Sequence, residues 1–327
     1  MDGRGALHLE TGQIHTVRPL SVDIPLGSLT AVTGVSGSGK TTLVLESLVP
    51  ALRARLAGEP LPVHVRDVDA AGISRVNLID ATPIGVNVRS TVATYSGVLD
   101  ELRRAFARTE EAQAAGLKPG AFSYNTGSLR CPTCDGTGQI TLDVQFLPDV
   151  DIECTDCRGS RYGAQASQIR RDGLSLPDIM AMSVDEARVA VRGLKKAGAL
   201  LETLSGLGLG YLTLGESTPA LSGGEAQRLK LASEMGRRQE GTLFIFDEPT
   251  IGLHPDDVQV LIDVLQRLID RGATVLVIEH DLDLIRCADW VIDMGPGGGI
   301  EGGRIVAEGT PGDIAASEAS VTGRYLR

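Results

Sequence analysis

Residues 20–34, LSVDIPLGSLTAVTG, alternate apolar and polar positions and then close into a short apolar run. Alternation marks a half-buried strand, and AVTG reads as a buried strand feeding a glycine-rich loop. The next stretch, TTLVLESLVPALRARL, has Leu43, Leu48 and Leu52 among its apolar positions and predicts a helix, which AGEPLP at 57–62 breaks. Another strand is predicted near 73–79, with Pro83 beyond it. Residues 91–118 read as helical, with charge concentrated in DELRRAFARTEEAQ, and helical text returns at 183–205. LSGGEAQRLKLASEM opens one more helix. LFIFDEPT and TVLVIEH are buried-strand candidates separated by the helical pattern DDVQVLIDVLQRLIDRG. That order of strand, helix and strand predicts a mostly parallel α/β sheet. The end, GPGGGIEGGRIVAEGTP, predicts a turn and a closing strand.

Length and composition narrow this picture. A chain of 327 residues, 42% hydrophobic, can form one large domain or two to three smaller ones, and with 3% aromatics its core must be mostly aliphatic. No run approaches the ~18–20 apolar residues that span a bilayer. The start, MDGRGALHLE, lacks the basic and apolar regions of a signal peptide. A cytoplasmic location without a membrane partner is therefore expected. The net charge of −11 leaves DNA binding to a local basic surface rather than to bulk charge.

GVSGSGKT at 34–41 fits G-x-x-x-x-G-K-[ST] and sits between a strand and a helix, as a phosphate-binding loop must. Gly34, Ser36, Gly37, Ser38, Gly39, Lys40, Thr41 and Thr42 are the candidate ATP and Mg²⁺ residues. The loop turns its N–H groups toward phosphate, Lys40 adds positive charge and the Thr41 hydroxyl can ligate Mg²⁺. Asp247 ends a predicted strand, where it can hold Mg²⁺, and the adjacent Glu248 can polarise an attacking water. LSGGEAQR at 221–228 resembles the signature sequence of ABC ATPases. That resemblance implies that Ser222, Gly223, Gly224 and Glu225 contact ATP bound to an opposite subunit. It also implies that His280, in VIEHD, is a switch histidine serving catalysis with Glu248. One P-loop and one signature per chain then call for a second module, either a head-to-tail homodimer or a paralogous ABC partner.

Cys131, Cys134, Cys154 and Cys157 form C-x2-C-x19-C-x2-C, a spacing that suits tetrahedral Zn²⁺ in a closed, structural site. Cys287, in DLDLIRCADW, reads as a buried helical residue with no chemistry.

Taken together, the motifs resemble the UvrA family of excision-repair ABC ATPases, and within it the C-terminal of two ABC modules. The residues that carry the resemblance are GVSGSGKTTL, TPIG at 82–85, ATYSGV at 93–98, FSYN at 122–125, CPTCDGTG, QFLPDV at 145–150 and CTDCRGSRY. GLGYLTLGE, LSGGEAQRLKLASE, DEPTIGLH, VIEHDLD and ADWVIDMGPGGG complete the set. The resemblance implies an α/β fold with three parts. These are an ABC-type P-loop ATPase lobe at 1–88 and 241–327, a helical signature subdomain at 89–121 and 164–240, and an inserted zinc-binding module at 122–163. It implies ATP, Mg²⁺ and Zn²⁺ as cofactors and double-stranded DNA as partner, with Arg89, Arg103, Arg104, Arg130, Arg158 and Arg161 as candidate phosphate contacts. The activity it implies is ATP-dependent DNA binding, for damage recognition or protection against a DNA-binding antibiotic.

The chain also departs from the family pattern. The module that carries the insertion for UvrB has no counterpart here, which counts against a UvrB interaction. IDATPIG places Ala81 where the family has the Q-loop glutamine, implying slow hydrolysis. TGSLR and GAQASQ depart from the family near the expected DNA surface. Two other readings compete: the ATP-binding subunit of an ABC transporter, against which the zinc insert stands, and a nucleotide-gated regulator with little turnover.

Overall fold

A computed structural model describes residues 5–85, 87–142, 150–235 and 237–327. The chain divides into two compact units, Met1–Ala81 with Arg237–Arg327, and Thr82–Gly236. The first unit opens with β1 (Ala6–Thr11), β2 (Leu20–Pro25) and β3 (Leu29–Gly34). A widened helical turn, Thr42–Leu48, then runs into α1 (Val49–Ala57), followed by β4 (Val65–Asp69) and β5 (Arg75–Ile79). The widening is an i→i−5 register, closed by the Val49 N–H on the Val44 carbonyl. It immediately precedes Pro50, which has no N–H to continue the ordinary ladder and whose ring crowds it. β1 pairs antiparallel with both β2 and β4.

The second unit is helical around a small hairpin. The stretch predicted as helical over 91–118 is three short helices, α2 (Val92–Tyr95), α3 (Val98–Phe106) and α4 (Glu110–Ala114). Gly97 in the left-handed region ends the first, and Thr109 caps the third by accepting from the Ala112 N–H. β6 (Gln139–Leu142) and β7 (Val150–Glu153) pair antiparallel, and Gln145–Asp149 of the QFLPDV motif lie outside the described residues. The short pair β8 (Arg170–Arg171) and β9 (Leu174–Ser175) leads into α5 (Leu176–Met180), α6 (Val184–Ala190), α7 (Lys195–Leu204) and α8 (Gly223–Glu234).

The chain then returns to the first unit with β10 (Thr242–Asp247), α9 (Pro255–Asp270), β11 (Thr274–Ile278) and α10 (Leu282–Arg286). β12 (Trp290–Gly295), β13 (Arg304–Gly309), α11 (Pro311–Ala316) and α12 (Gly323–Leu326) close it. The main sheet runs β13-β12-β3-β11-β10-β5, parallel throughout except for β13, which is antiparallel to β12. Its inner strands β3, β10 and β11 are buried along nearly their whole length because both faces are covered. Val32, Leu243, Ile245, Leu276, Ile278 and Ile292 pack with Leu43, Leu48 and Leu52 of the helix after β3. Asp247 pairs with Ile278, Ile278 with Val32 and Met294 with Gly34, so the carboxyl ends of four strands finish along one edge. Open parallel sheets bind ligands at such an edge. No helix among the described residues is long and apolar enough to cross a membrane.

Candidate nucleotide site and four-cysteine centre

The P-loop leaves β3 at Gly34, which holds φ +131°, and a Cβ there would lie 2.0 Å from the Met294 carbonyl oxygen. Only glycine lets β3 and β12 approach so closely at that turn. A second glycine-rich loop backs the first: the Gly299 N–H donates to the Gly37 carbonyl at 2.9 Å and the Gly303 N–H to the Ser38 carbonyl at 2.9 Å. The local signal for this support is the glycine density of GPGGGIEGG.

Lys40 is buried, and its ammonium donates to the carbonyls of Gly34 at 3.0 Å and Val35 at 3.1 Å. Burial pushes it below the ordinary lysine range, against the opposing pull of Glu248, Asp293 and Asp247. Ser38 is buried and its hydroxyl has no partner among the described residues, while Ser36 and Thr41 are exposed. Thr42 donates to Glu46 at 3.1 Å.

Asp247 and Glu248 leave the tip of β10. Burial, then the charges of Glu248, Asp80 and Glu279, push Asp247 above the usual carboxylate range, and Lys40 pulls it back. A divalent cation beside these carboxylates would relieve their mutual repulsion. Glu248 sits in the left-handed region at φ +47°, its N–H bound to the Ile278 carbonyl at 2.9 Å. His280 follows β11 and places Nε2 3.4 Å from Glu248 Oε1. Lys40, Asp247, Glu248 and His280 therefore gather at one sheet edge although up to 240 positions of sequence separate them (40 to 280).

Two further acidic residues, Glu279 and Asp293, belong to this edge. Glu279, only 2% exposed, accepts hydrogen bonds from Thr250, His280 and Asp281. Asp293, 1% exposed, accepts from the hydroxyls of Ser320 at 2.5 Å and Thr322 at 3.1 Å. Glu279 had a signal, an acidic residue ending a buried strand beside the histidine. Asp293 had none, because its partners lie 27 and 29 positions away. Cys287 corrects an expectation: it is exposed, since it follows α10 at the C-cap while Leu284 and Ile285 take the inward face.

In the second unit, Ser222 caps α8. Its hydroxyl accepts from the Glu225 N–H and its own N–H donates to the Glu225 carboxylate at 2.6 Å. Ser222 and Gly223 are exposed at this helix start, with Gly224 half-buried. The Glu225 carboxylate also accepts from the Tyr211 hydroxyl.

The four cysteine sulfurs lie within 4.8 Å of one another, and all four residues are buried. Cys131 and Cys154 sulfurs are 3.9 Å apart, and those of Cys134 and Cys157 are 3.7 Å apart. Tetrahedral zinc with Zn–S of about 2.3 Å requires about 3.8 Å between sulfurs, so the residues fit the ion. Burial pushes the Cys134 thiol up, but the Gly138 N–H at 3.2 Å and the neighbouring thiols outweigh it and bring the thiol down to about 7. Gly136 makes the first knuckle possible: at φ +79°, a Cβ would meet the Tyr124 carbonyl oxygen at 1.7 Å.

Aromatic residues support this centre. Tyr124 and Tyr162 meet edge to face at 5.8 Å, and their hydroxyls bond to the Arg89 and Phe122 carbonyls. Arg161 is buried, with its guanidinium over the Tyr124 ring at 5.2 Å and bonded to the Val88 carbonyl. Arg89 and Arg130 both pair with Asp135, while Arg103 and Arg104 pair with Asp100 and Glu101 of their own helix. Arg158 is exposed.

No family model matches the chain. It is 48% identical to UvrABC system protein A of Synechocystis over 99% of its own length and 34% of that protein's. It is 46% identical to UvrABC system protein A of Bacillus subtilis, over 100% of this chain and 34% of that one. The crystal structure of UvrA2 from Deinococcus radiodurans superimposes with a TM-score of 0.88 at 43% identity, covering 99% of this chain and 39% of that one. The chain thus spans about a third of the length of these relatives.

Proposed function

We propose that this chain, a UvrA-like module of the ABC ATPase class, binds and hydrolyses ATP with Mg²⁺ and couples that cycle to its grip on double-stranded DNA. The observation that carries the ATPase reading is the meeting of Lys40, Asp247, Glu248 and His280 at one strand edge. The P-loop, Gly34 to Thr42, cradles the phosphates and Lys40 neutralises them. Asp247 holds Mg²⁺ and Glu248 orients the attacking water, with His280 against the γ-phosphate. Ser222 and the N–H groups of Gly223 and Gly224 close the site of a second module, in a homodimer or with a paralogous partner, because helix starts favour anions. Glu225 serves that contact as the cap that sets the helix start.

Ala81 follows Asp80 with no polar side chain to reach Mg²⁺ or water, so turnover is slow. The cysteine centre holds a structural Zn²⁺ within an insert that acts on DNA. Arg158 and Arg104, both exposed, are the arginines best placed to meet phosphate. The biological task is recognition of damaged DNA or protection of DNA against a bound antibiotic, in the cytoplasm.

ATP turnover measured with no DNA, native duplex, lesion-bearing duplex and intercalator-loaded duplex tests this reading at a stated salt concentration. Turnover that responds to DNA supports it, and the duplex giving the largest response separates the two tasks. Turnover blind to every duplex, with no DNA binding at low salt, would sink the DNA half. Glu248→Gln should accumulate an ATP-bound dimer, and a monomer under the same conditions counts against the shared site.

A further inference from the structure

We infer that Glu279 is a positioning residue for ATP hydrolysis, one carboxylate that holds the segments carrying Glu248 and His280 in mutual register. The inference rests on the ATPase reading above and deepens it.

The two carboxylate oxygens divide the work. Oε1 accepts from the Thr250 N–H at 2.9 Å and from the Thr250 hydroxyl at 2.6 Å, on the turn two residues after Glu248. Oε2 accepts from the N–H groups of His280 at 2.6 Å and Asp281 at 2.9 Å, on the loop that presents the histidine. The Glu279 main chain is itself fixed, its N–H donating to the Val32 carbonyl of β3 at 3.1 Å. One side chain thus ties the loops after β10 and β11 to the strand that feeds the P-loop.

The physical need is visible in what would be left without it. Glu279 is 2% exposed, and a buried carboxylate persists only when hydrogen bonds replace its water. Here four donors do so, and bonds to an ionised acceptor are about twice as strong as neutral ones. An apolar residue could fill the volume, yet it would strand the N–H groups of Thr250, His280 and Asp281. Glu248 meanwhile holds φ +47°, a conformation that non-glycine residues keep only where the surroundings over-determine it. The clamp on Thr250 supplies that constraint from one side and the Ile278 carbonyl from the other. The 3.4 Å approach of Glu248 to His280 follows from the two loops being held together.

Glu279→Gln keeps the shape but replaces one accepting oxygen with an NH₂ group, so either flip releases one loop. The experiment compares wild type, Glu279→Gln, Glu248→Gln and the double variant, in single-turnover hydrolysis of labelled ATP with Mg²⁺. ATP affinity and thermal melting are measured alongside. Glu279→Gln should lower the hydrolysis rate about tenfold or more, keep ATP affinity within about threefold, and add no further loss to Glu248→Gln, because it acts through that residue. An unchanged rate, a loss that adds fully to that of Glu248→Gln, or affinity and melting that fall in step with rate would each overturn the inference. Absence of turnover in wild type would overturn the ATPase reading and this inference together; turnover lost in Glu248→Gln but kept in Glu279→Gln overturns this inference alone. If Glu279→Gln does not fold, Thr250→Val removes one hydroxyl bond and leaves its N–H, and a rate loss of about threefold with unchanged affinity is expected. An unchanged rate in that variant rejects the clamp.

Discussion

The strand edge of the first unit and the cysteine centre of the second build functional geometry from opposite resources. The edge grows out of a large aliphatic core in which β3, β10 and β11 are buried at nearly every position. Its polar groups are set by main-chain register and by short hydrogen bonds at the strand tips. Among the described residues, Ile140 is the partly buried hydrophobic that packs against the four-cysteine cluster. Its neighbours are aromatic residues whose polar ends are all engaged. A large core can position charge by packing and register, whereas a small insert with little apolar support would depend on coordination by its four cysteines to hold its turns.

The widest test of this contrast is zinc removal. Structural zinc contributes on the order of 10 kcal/mol to small metal-dependent folds. Chelation, or Cys131→Ser, should raise amide exchange across 122–163 while β3, β10 and β11 stay protected. Equal exchange in both regions would erase the distinction. Next comes the aliphatic core: Ile245→Ala, at a fully buried position, should cost about 3–4 kcal/mol and lower the denaturation midpoint of the first unit while zinc content is unchanged.

Gly136→Ala should cost about 3 kcal/mol by forcing a Cβ onto the Tyr124 carbonyl in a left-handed turn, and weakened zinc retention would report it. The smallest effect is electrostatic. Hydrogen bonds from the Ser175 hydroxyl and N–H hold Asp178 below the usual carboxylate range. A depressed folded value means the stabilisation is present above the unfolded value, about 4, and is lost as pH falls through the folded one. Asp178→Asn should cost about 0.5 kcal/mol at neutral pH after solvent screening, and the difference from wild type should shrink as pH falls below about 4.

Much of the first unit was legible in the chain because its strands are uniform apolar runs next to recognisable loops. The exceptions show what local pattern cannot carry. β4 reads VRDVD, with Val65 and Val68 buried three positions apart and an irregular register between Glu10 and Thr11 of its partner, so no alternation appears. β12 reads WVIDMG, and a charge inside a buried strand argues against burial until the hydroxyls of Ser320 and Thr322 are seen to meet it. In the second unit, the charge-rich stretch after 91 reads as continuous because caps at Gly97 and Thr109 weigh little against periodicity.

By itself the sequence marked the phosphate-loop pattern, the acidic strand end, the start of the signature helix and the two cysteine pairs. Each is a short residue pattern, in the cysteines' case two C-x2-C pairs, that can be read without knowing the distant backbone it packs against. Only the tertiary structure decided that Glu279 binds two loops at once, that Asp293 is satisfied from the C-terminal segment, and that Arg161 lies buried against Tyr124 rather than at the surface. Those outcomes depend on which distant donors and rings arrive beside a given charge, and chain packing alone sets that distance.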